Sequence, residues 1–237
     1  MASDLHTDTT ITTTAVRVPT GTAWLDGDLG MPAGARGLIA FAHGSGSSRH
    51  SPRNRAVARA FERRGLATLL IDLLTPEEER IDRYTAQYRF DIELLARRLA
   101  HIIDWLTAGN GMASTLPIGV FGASTGAGAA LVAAALRPQH VAAIVSRGGR
   151  PDLAGPDLQH VRAPTLLIVG GRDTSVIHLN RRAIALMPGE VRLELVPGAT
   201  HLFEEPGALE AVAELATEWF LTHLTSSATP RRARASA

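Results

Sequence analysis

Apolar and polar residues follow one another along this chain in blocks that predict alternating strands and helices. Short apolar runs bounded by glycine, proline or charged residues are typical of strands that are buried on both faces. Five such apolar runs predict strands, and they are Gly37–Ala42, Ala67–Ile71, Pro117–Phe121, Val141–Val145 and Pro164–Val169. A sixth predicted strand, Val191–Val196, is more polar than these five.

Apolar residues recur at helical spacing in the segments between these strands, which places them on one face of each segment. The predicted helices are Arg53–Arg64, Phe90–Leu106, Ala127–Leu136, Ile177–Leu186 and Gly207–Leu224. A further helix is predicted within Thr75–Arg89, because three glutamates directly after Pro76 suit a first helical turn. Tyr84 and Tyr88 in this segment either cover a cleft or pack the helix onto the body, and both alternatives remain open.

The order of these elements predicts an α/β protein with a mostly parallel central sheet and helices on both faces. Ile11–Val18 and Thr22–Leu25 flank a turn at Pro19, so they predict an antiparallel hairpin at one edge of the sheet. Ligands of such a sheet bind at the carboxyl ends of its strands. We expect a single domain over residues 1–224 and a disordered tail over residues 225–237.

Composition restricts the chemistry of the site. The chain has no cysteine, which excludes a disulfide framework, a thiolate metal site and a cysteine nucleophile. All 24 basic residues are arginine, so a lysine Schiff base and a P-loop lysine are excluded as well.

Charge and hydropathy patterning narrow the expected partners and compartment. The net charge of +1 is too small for a general nucleic-acid binder. Apolar runs such as Ala127–Leu136 are too short to span a bilayer, and the N-terminal residues do not have the pattern of a secretory signal. We expect a cytoplasmic monomer or homodimer that binds neither nucleic acid nor membrane.

A serine lies at a strand-to-helix junction that suits a catalytic nucleophile. The segment from Gly122 to Gly126 reads G-A-S-T-G and matches G-x-S-x-G, with Ser124 at its centre. Such a turn projects the serine hydroxyl into a cleft, and its glycines prevent a clash between strand and helix. The alternative is an ordinary turn with an N-capping serine. The position between a buried strand and an alanine-rich helix favours the nucleophile.

The base and its orienting carboxylate are predicted from chain order, which in hydrolases with this turn is Ser, then Asp or Glu, then His. Asp173 and His201 each come directly after a predicted strand, at the end where a site is expected. His178 and His223 fall in predicted helices, which directs them away from the cleft. We therefore expect Ser124 as nucleophile, His201 as base and Asp173 as orienter.

Two backbone amides are needed to stabilise the oxyanion that such a nucleophile generates. Thr125, the residue after the nucleophile, is one expected donor. The second should come from the loop after the first parallel strand, where Ser45 is the first choice. Gly46 is the second choice and a candidate for contact with substrate. His43 in the same loop fits a structural hydrogen-bonding role better than that of a base.

Two groups of arginines are candidates for binding an anionic part of a substrate. Arg49, Arg53 and Arg55 follow the loop just described, and the helical spacing there favours a solvated helix face. Arg147 and Arg150 lie after a strand, where a site is expected. For Arg147, substrate binding and bracing of a loop are equally supported.

These motifs together resemble the α/β-hydrolase superfamily and, within it, the dienelactone-hydrolase-like branch. The resemblance covers about Gly30 to Leu224 and rests on AHGSGSS, FGASTGAGAA, PTLLIVGGRD and PGATHLF in this order. It implies an α/β-hydrolase fold and a hydrolase that uses Ser124, Asp173 and His201. Dienelactone hydrolases carry cysteine at the position of Ser124, and this departure favours a general carboxylic-ester hydrolase.

The expected activity is hydrolysis of small or soluble carboxylic esters through an acyl-enzyme, with no metal and no cofactor. Residues 146–163 are too few for the helical lid that many lipases carry there, so we expect an open cleft. The same triad would serve a thioesterase or a lactone hydrolase. A third alternative is a fold used only for binding, against which the complete set of Ser, Asp and His argues.

Overall fold

The computed structural model describes residues 10–109 and 115–225. These residues form eight β-strands, six α-helices and one 3₁₀ segment, Pro151–His160. The strands are β1 Ile11–Thr20, β2 Ala23–Pro32, β3 Leu38–Ala42, β4 Ala67–Ile71, β5 Ile118–Ala123, β6 Val141–Arg147, β7 Thr165–Gly170 and β8 Val191–Val196. The helices are α1 Pro52–Arg63, α2 Pro76–Thr85, α3 Ile92–Thr107, α4 Thr125–Leu136, α5 Thr174–Ile184 and α6 Ala208–Thr225.

One sheet contains all eight strands in the order β1-β2-β4-β3-β5-β6-β7-β8. Strands β3 to β8 pair in parallel, whereas β2 pairs antiparallel with both β1 and β4. The predicted α/β fold class and the antiparallel hairpin at one edge are therefore confirmed. The hairpin is longer than predicted because β2 continues to Pro32 and pairs with β4 through Gly27–Gly30. Its glycines and aspartates hide this continuation in the sequence pattern.

Helices cover both faces of the sheet and create a separate apolar cluster on each. Residues of α3 and α4 pack over one face, as Leu99 and Leu131 illustrate. On the other face, α1 and α6 pack over β3 and β5. Four buried phenylalanine rings contact one another there at centroid distances of 5.0–5.8 Å, and they are Phe41, Phe61, Phe121 and Phe220. Because β3 and β5 end at the predicted site, this cluster gives the site a rigid floor.

The connections at the carboxyl ends of the strands are short. Strands β6 and β7 are joined through the 3₁₀ segment, which is interrupted at Gly155 by a φ of 51°. No lid is present in this connection. Helices α4 and α5 begin two and three residues earlier than predicted, at Thr125 and Thr174, because both strand-to-helix turns are tight.

The end of the chain is described only as far as α6. That helix ends at Thr225, and the rest of the predicted tail, residues 226–237, lies outside the described residues. Within residues 10–109 and 115–225, no helix combines the length and the hydropathy that a bilayer-spanning segment requires.

Candidate active site

Ser124 occupies the turn between β5 and α4 in a backbone conformation that few non-glycine residues adopt. Its φ is 50° and its ψ is −119°. Strain of this kind costs about 1–3 kcal/mol and persists only where the surroundings enforce it. Here the Ser124 amide donates to the Arg147 carbonyl at 3.1 Å, and the Ser124 carbonyl accepts from the amides of Ala127 and Arg150, also at 3.1 Å. The hydroxyl is therefore held at the start of α4 rather than used as a helix cap.

The two glycines of the turn are required by close contacts between backbones. A Cβ on Gly126 would lie 2.3 Å from the Ala42 carbonyl oxygen and 2.4 Å from that of His43. A Cβ on Gly122 would lie 2.5 Å from Cα of Ala127. The N-terminus of α4 is thus pressed against the end of β3, which brings two loops together beside Ser124.

The three residues predicted separately as a catalytic triad lie within hydrogen-bonding distance of one another. Ser124 Oγ is 3.2 Å from Nε2 of His201, and Nδ1 of His201 is 2.7 Å from Oδ2 of Asp173. When Nδ1–H donates to the carboxylate, Nε2 is left to accept the serine proton. The carboxylate is sheltered, with 12% of the Asp173 side chain exposed, whereas 38% of the His201 side chain is accessible.

Two further side chains, which the sequence did not single out, support this arrangement. The Ser175 hydroxyl donates to Oδ1 of Asp173 at 3.3 Å, on the side opposite His201. Glu205 accepts the Thr200 amide at 3.1 Å and so fastens the loop that carries His201. His178 and His223 lie on α5 and α6, as expected, and are not in the triad.

The β3–α1 loop, residues 43–51, turns sharply beside Ser124. The Ser47 amide donates to the Gly44 carbonyl at 3.1 Å, and Gly46 has a φ of 68°, which favours glycine. His43 lies beneath the turn, where Nε2 accepts the Leu73 amide and Nδ1 donates to the Gly44 carbonyl, both at 3.0 Å. Burial lowers the pKa of His43, so the ring is neutral at pH 7. This geometry suits the structural role expected for His43.

The predicted oxyanion donors are connected in a way that the sequence did not reveal. The Ser45 amide donates to Oγ1 of Thr125 at 2.8 Å, so the first-choice loop donor is already hydrogen-bonded. Among the described residues, no acceptor is found for the amides of Thr125, Gly44 and Gly46. The Ser45 bond holds the loop against α4, and the identity of the loop amide that binds the oxyanion stays a prediction.

A cavity of about 330 Å³ adjoins the β3–α1 loop. Asp82 and Arg89 contribute to its lining, whereas Ser124, Asp173 and His201 do not. Burial raises the pKa of Asp82, but hydrogen bonds from the Arg89 amide and side chain outweigh it and hold that pKa below its ordinary value. Tyr84 neither covers this cavity nor packs onto the body, because it is 92% exposed.

The candidate arginines differ in their ion-pair partners. The pairs are Arg49 with Asp72, Arg53 with Glu204, Arg55 with Asp28 and Arg150 with Asp152. Arg147 is buried and, within the part of the chain that the structure describes, has no carboxylate partner. The same part of the chain holds no group of three or more His, Asp or Glu side chains that could bind a metal ion.

Solved structures of known proteins share this architecture. A dienelactone hydrolase from Anabaena variabilis ATCC 29413 is 59% identical to the chain, with a TM-score of 0.88 over 90% of this chain and 99% of that one. Est1E from Butyrivibrio proteoclasticus has a TM-score of 0.72 at 16% identity, over 88% of this chain and 98% of that one. The second likeness shows the fold alone.

Sequence comparison gives a family and a longer relative. The chain is 58% identical over 223 residues to a protein of Mycobacterium tuberculosis (strain H37Rv) named "Putative phosphoribosyl transferase". The match covers 94% of this chain but 49% of that protein, so the chain spans about half the length of this relative. A sequence model of the dienelactone hydrolase family matches residues 32–226. With most of its length matched and the fold in agreement, the chain belongs to the dienelactone hydrolase family.

Proposed function

We propose that this chain is a serine hydrolase that cleaves carboxylic esters of small or soluble substrates through an acyl-enzyme. The observation that carries the proposal is the continuous hydrogen-bonded sequence from Ser124 through His201 to Asp173. Family membership and the 59% identity to a dienelactone hydrolase support hydrolytic chemistry at this site. The strained serine adds support, because such backbone strain concentrates at functional sites.

In the first half of the proposed reaction, Ser124 Oγ attacks the ester carbonyl carbon while Nε2 of His201 takes the hydroxyl proton. Asp173 holds the ring in the correct tautomer and stabilises the imidazolium. The carbonyl oxygen becomes an oxyanion, which the Thr125 amide and one amide of the β3–α1 loop bind beside the N-terminus of α4. His201 then returns the proton to the departing alkoxide, which leaves an acyl group on Ser124.

In the second half, water enters the position of the departed alcohol. Nε2 of His201 takes a proton from this water, whose oxygen attacks the acyl carbon and regenerates the same oxyanion. Collapse of the tetrahedral intermediate breaks the bond to Ser124, and His201 returns the proton to the serine oxygen. The free acid then leaves through the cleft. These steps need no metal or organic cofactor.

The shape of the site supports small or soluble substrates. The β6–β7 connection consists of the 3₁₀ segment Pro151–His160 and its flanking residues, with no inserted helical lid. A lactone hydrolase is the second candidate, because the similar Anabaena protein is a dienelactone hydrolase. The chain covers 49% of the longer relative that is named a putative transferase, and the hydrogen-bonded side chains of Ser124, His201 and Asp173 favour a hydrolase instead.

Ser124→Ala tests the nucleophile. With p-nitrophenyl esters, thioesters and lactones as substrates, kcat should fall by roughly 10⁶-fold, and a fluorophosphonate probe should no longer label the protein. Ser146→Ala is the matched control, because it removes a buried hydroxyl without a described partner from the neighbouring strand. Ester hydrolysis that survives Ser124→Ala at the wild-type rate would refute the proposed nucleophile.

Asp173→Asn tests the role of the carboxylate. The amide preserves the shape but favours the wrong histidine tautomer, so kcat should fall about 10⁴-fold while the circular dichroism spectrum is retained. A protein that uses this fold only for binding would show neither hydrolysis nor labelling in the wild type. That result would replace the proposed hydrolase with the binding alternative.

A further inference from the structure

Two consecutive glycines after β6, Gly148 and Gly149, lie against the candidate site and are called the glycine pair below. A Cβ on Gly148 would lie 3.1 Å from the carbonyl oxygen of His201 and 3.6 Å from Cε1 of its ring. A Cβ on Gly149 would lie 2.6 Å from Cβ of Ala127, in the first turn of α4. These contacts leave no room for a side chain at either position. Because glycine is the most flexible residue, the pair needs a restraint from another part of the fold.

The nucleophile and the base both depend on where the glycine pair lies. Ser124 is hydrogen-bonded to the residues on either side of the pair. Its amide donates to the Arg147 carbonyl and its carbonyl accepts the Arg150 amide, both at 3.1 Å. Since Gly148 also contacts His201, a shift of the pair would change the position of the base relative to the serine hydroxyl.

Asn180 on α5 provides a restraint on the glycine pair. Its side chain is completely buried, and Nδ2 donates to the Gly149 carbonyl at 3.0 Å and to the Val176 carbonyl at 2.8 Å. The bond to Val176 stays within α5, whereas the bond to Gly149 leaves it. Within residues 10–109 and 115–225, no other side chain of α5 hydrogen-bonds to a residue outside this helix and its N-cap.

Packing alone does not account for an asparagine at this position. Oδ1 of Asn180 is buried and has no partner in the part of the chain that the structure describes. A buried polar atom without a partner lowers the stability of the fold, and an apolar side chain of the same shape would not carry this cost. The polar side chain is therefore better explained by the group that it holds, the Gly149 carbonyl.

Through α5, the same bond reaches the third member of the triad. Asp173 is the N-cap of α5, and Asn180 follows it after about two helical turns, so the two residues lie on one side of the helix. The helix is held between them by a small apolar cluster of Val169, Val176 and Ile177. A helix fixed at Asn180 thus fixes the place where the Asp173 carboxylate meets the base.

We infer that Asn180 is a positioning residue for the triad and acts through the Gly149 carbonyl without touching the substrate. Its bond joins the helix that begins after Asp173 to the backbone that contacts Ser124 and His201. It therefore holds together the two triad hydrogen bonds, at 3.2 and 2.7 Å. The inference rests on the proposed function, because the geometry that it preserves is that of the proposed nucleophile, base and orienter.

The first experiment measures kinetics with p-nitrophenyl butyrate. Asn180→Leu removes both hydrogen bonds but keeps the branched shape of the side chain. A misplacement of about 1 Å at reacting groups costs on the order of 100-fold in rate, so kcat should fall about 10–100-fold while KM stays close to the wild-type value. Wild-type kcat in folded Asn180→Leu would overturn the inference.

Ile177→Val is the matched control, because it shortens a buried apolar side chain of the same helix. It should lower the Tm of the protein but retain the wild-type kcat. A loss of kcat in Ile177→Val equal to that in Asn180→Leu would mean that any weakening of α5 has the same effect. That result would also overturn the inference.

Asn180→Ser separates the two bonds that Nδ2 makes, and it serves as the test should Asn180→Leu fail to fold. A serine hydroxyl in a helix can donate to the carbonyl four residues earlier, here that of Val176, but it is too short to reach Gly149. Asn180→Ser should therefore show the same loss of kcat as expected for Asn180→Leu. A wild-type kcat in Asn180→Ser would assign the role of Asn180 to the helix and contradict positioning.

The second experiment observes the triad without turnover, in the Ser124→Ala background. The Nδ1 proton that His201 donates to Asp173 should give a proton NMR resonance far downfield, assigned by its loss in His201→Gln. Adding Asn180→Leu should broaden this resonance or remove it through exchange with water, and adding Ile177→Val should leave it unchanged. An unchanged resonance with Asn180→Leu would contradict the inference. A wild type that hydrolyses no ester but shows the Asn180-dependent resonance would refute the proposed hydrolase and still support the positioning role.

Discussion

Gly126→Ala is the substitution whose effect follows most directly from the contacts around the nucleophile. The added Cβ would lie 2.3 Å from the Ala42 carbonyl oxygen, whereas ordinary contact begins at 3.4 Å. One of the two backbones must therefore move by about 1 Å. Since both are main chain, no side-chain rotation relieves the clash, and the displaced segment is either the turn at Ser124 or the start of the β3–α1 loop.

Two losses are expected from this displacement. Overpacking of this kind costs about 1–3 kcal/mol of stability. A misplacement of about 1 Å at reacting groups costs on the order of 100-fold in rate, so kcat should fall that far even in fully folded protein. The loss should appear in kcat rather than KM, because the shift separates the serine hydroxyl from the amides that bind the oxyanion.

The assay is urea unfolding together with p-nitrophenyl ester kinetics, and Gly128→Ala is the control. Both substitutions add the same methyl group to α4, but at Gly128 the nearest atoms are Cβ of Leu153 at 3.0 Å and the Arg150 carbonyl oxygen at 3.1 Å. These contacts need a shift of only a few tenths of an ångström, and alanine gains helix propensity, so Gly128→Ala should lose less stability and less kcat than Gly126→Ala. If Gly126→Ala had the same urea midpoint and the same kcat as Gly128→Ala, the close contact between Gly126 and the Ala42 carbonyl oxygen would be refuted.

Three further predictions concern stability. Phe121→Ala should lower the free energy of unfolding by about 3–5 kcal/mol in urea titrations, since it removes a buried ring that contacts Phe41 and Phe61. A loss below about 1 kcal/mol would contradict that packing. The hydrogen bond from the Arg137 side chain lowers the pKa of Asp104 below its ordinary 3.8. The wild type should therefore be more stable than Asp104→Asn above pH 3.8, and this difference in the free energy of unfolding should vanish at lower pH. A difference that did not change with pH would be inconsistent with the ion pair. Burial lowers the pKa of His43 below 6.5, so the unfolded chain takes up a proton at this residue at a higher pH than the folded protein does. The stability of the wild type should therefore decline as the pH falls below 6.5. The Tm of His43→Gln should fall less over the same pH range.

The sequence predicted site residues best at positions where the catalytic chemistry and the fold both require a particular residue type. Ser124 was identifiable because the turn between β5 and α4 needs glycines at fixed positions. Asp173 and His201 were identifiable because parallel strands align their carboxyl ends, so residues far apart in the chain arrive at one edge. Their hydrogen bonds agree with this expectation, although the roles of the three residues stay predictions until they are tested.

Features that depend on which side chains meet across the fold were not predictable. The sequence grouped Arg53 with Arg49 and Arg55, but the structure pairs the latter two with aspartates and places Arg53 beside Arg147. Likewise, the bond between the Ser45 amide and the Thr125 hydroxyl joins residues 80 positions apart. Such contacts leave no periodic signal, because they arise from the approach of two loops rather than from one element.

The connection between β6 and β7 is a place where the chain can accept insertions. Gly155 has open space around it, and the triad residues follow other strands, so this connection is free to lengthen without disturbing them. Each doubling of a flexible loop costs only about 0.6 kcal/mol in closure entropy. Insertions at this point would therefore let evolution or protein engineering add a cover, and with it a new substrate range, while the catalytic apparatus is inherited intact.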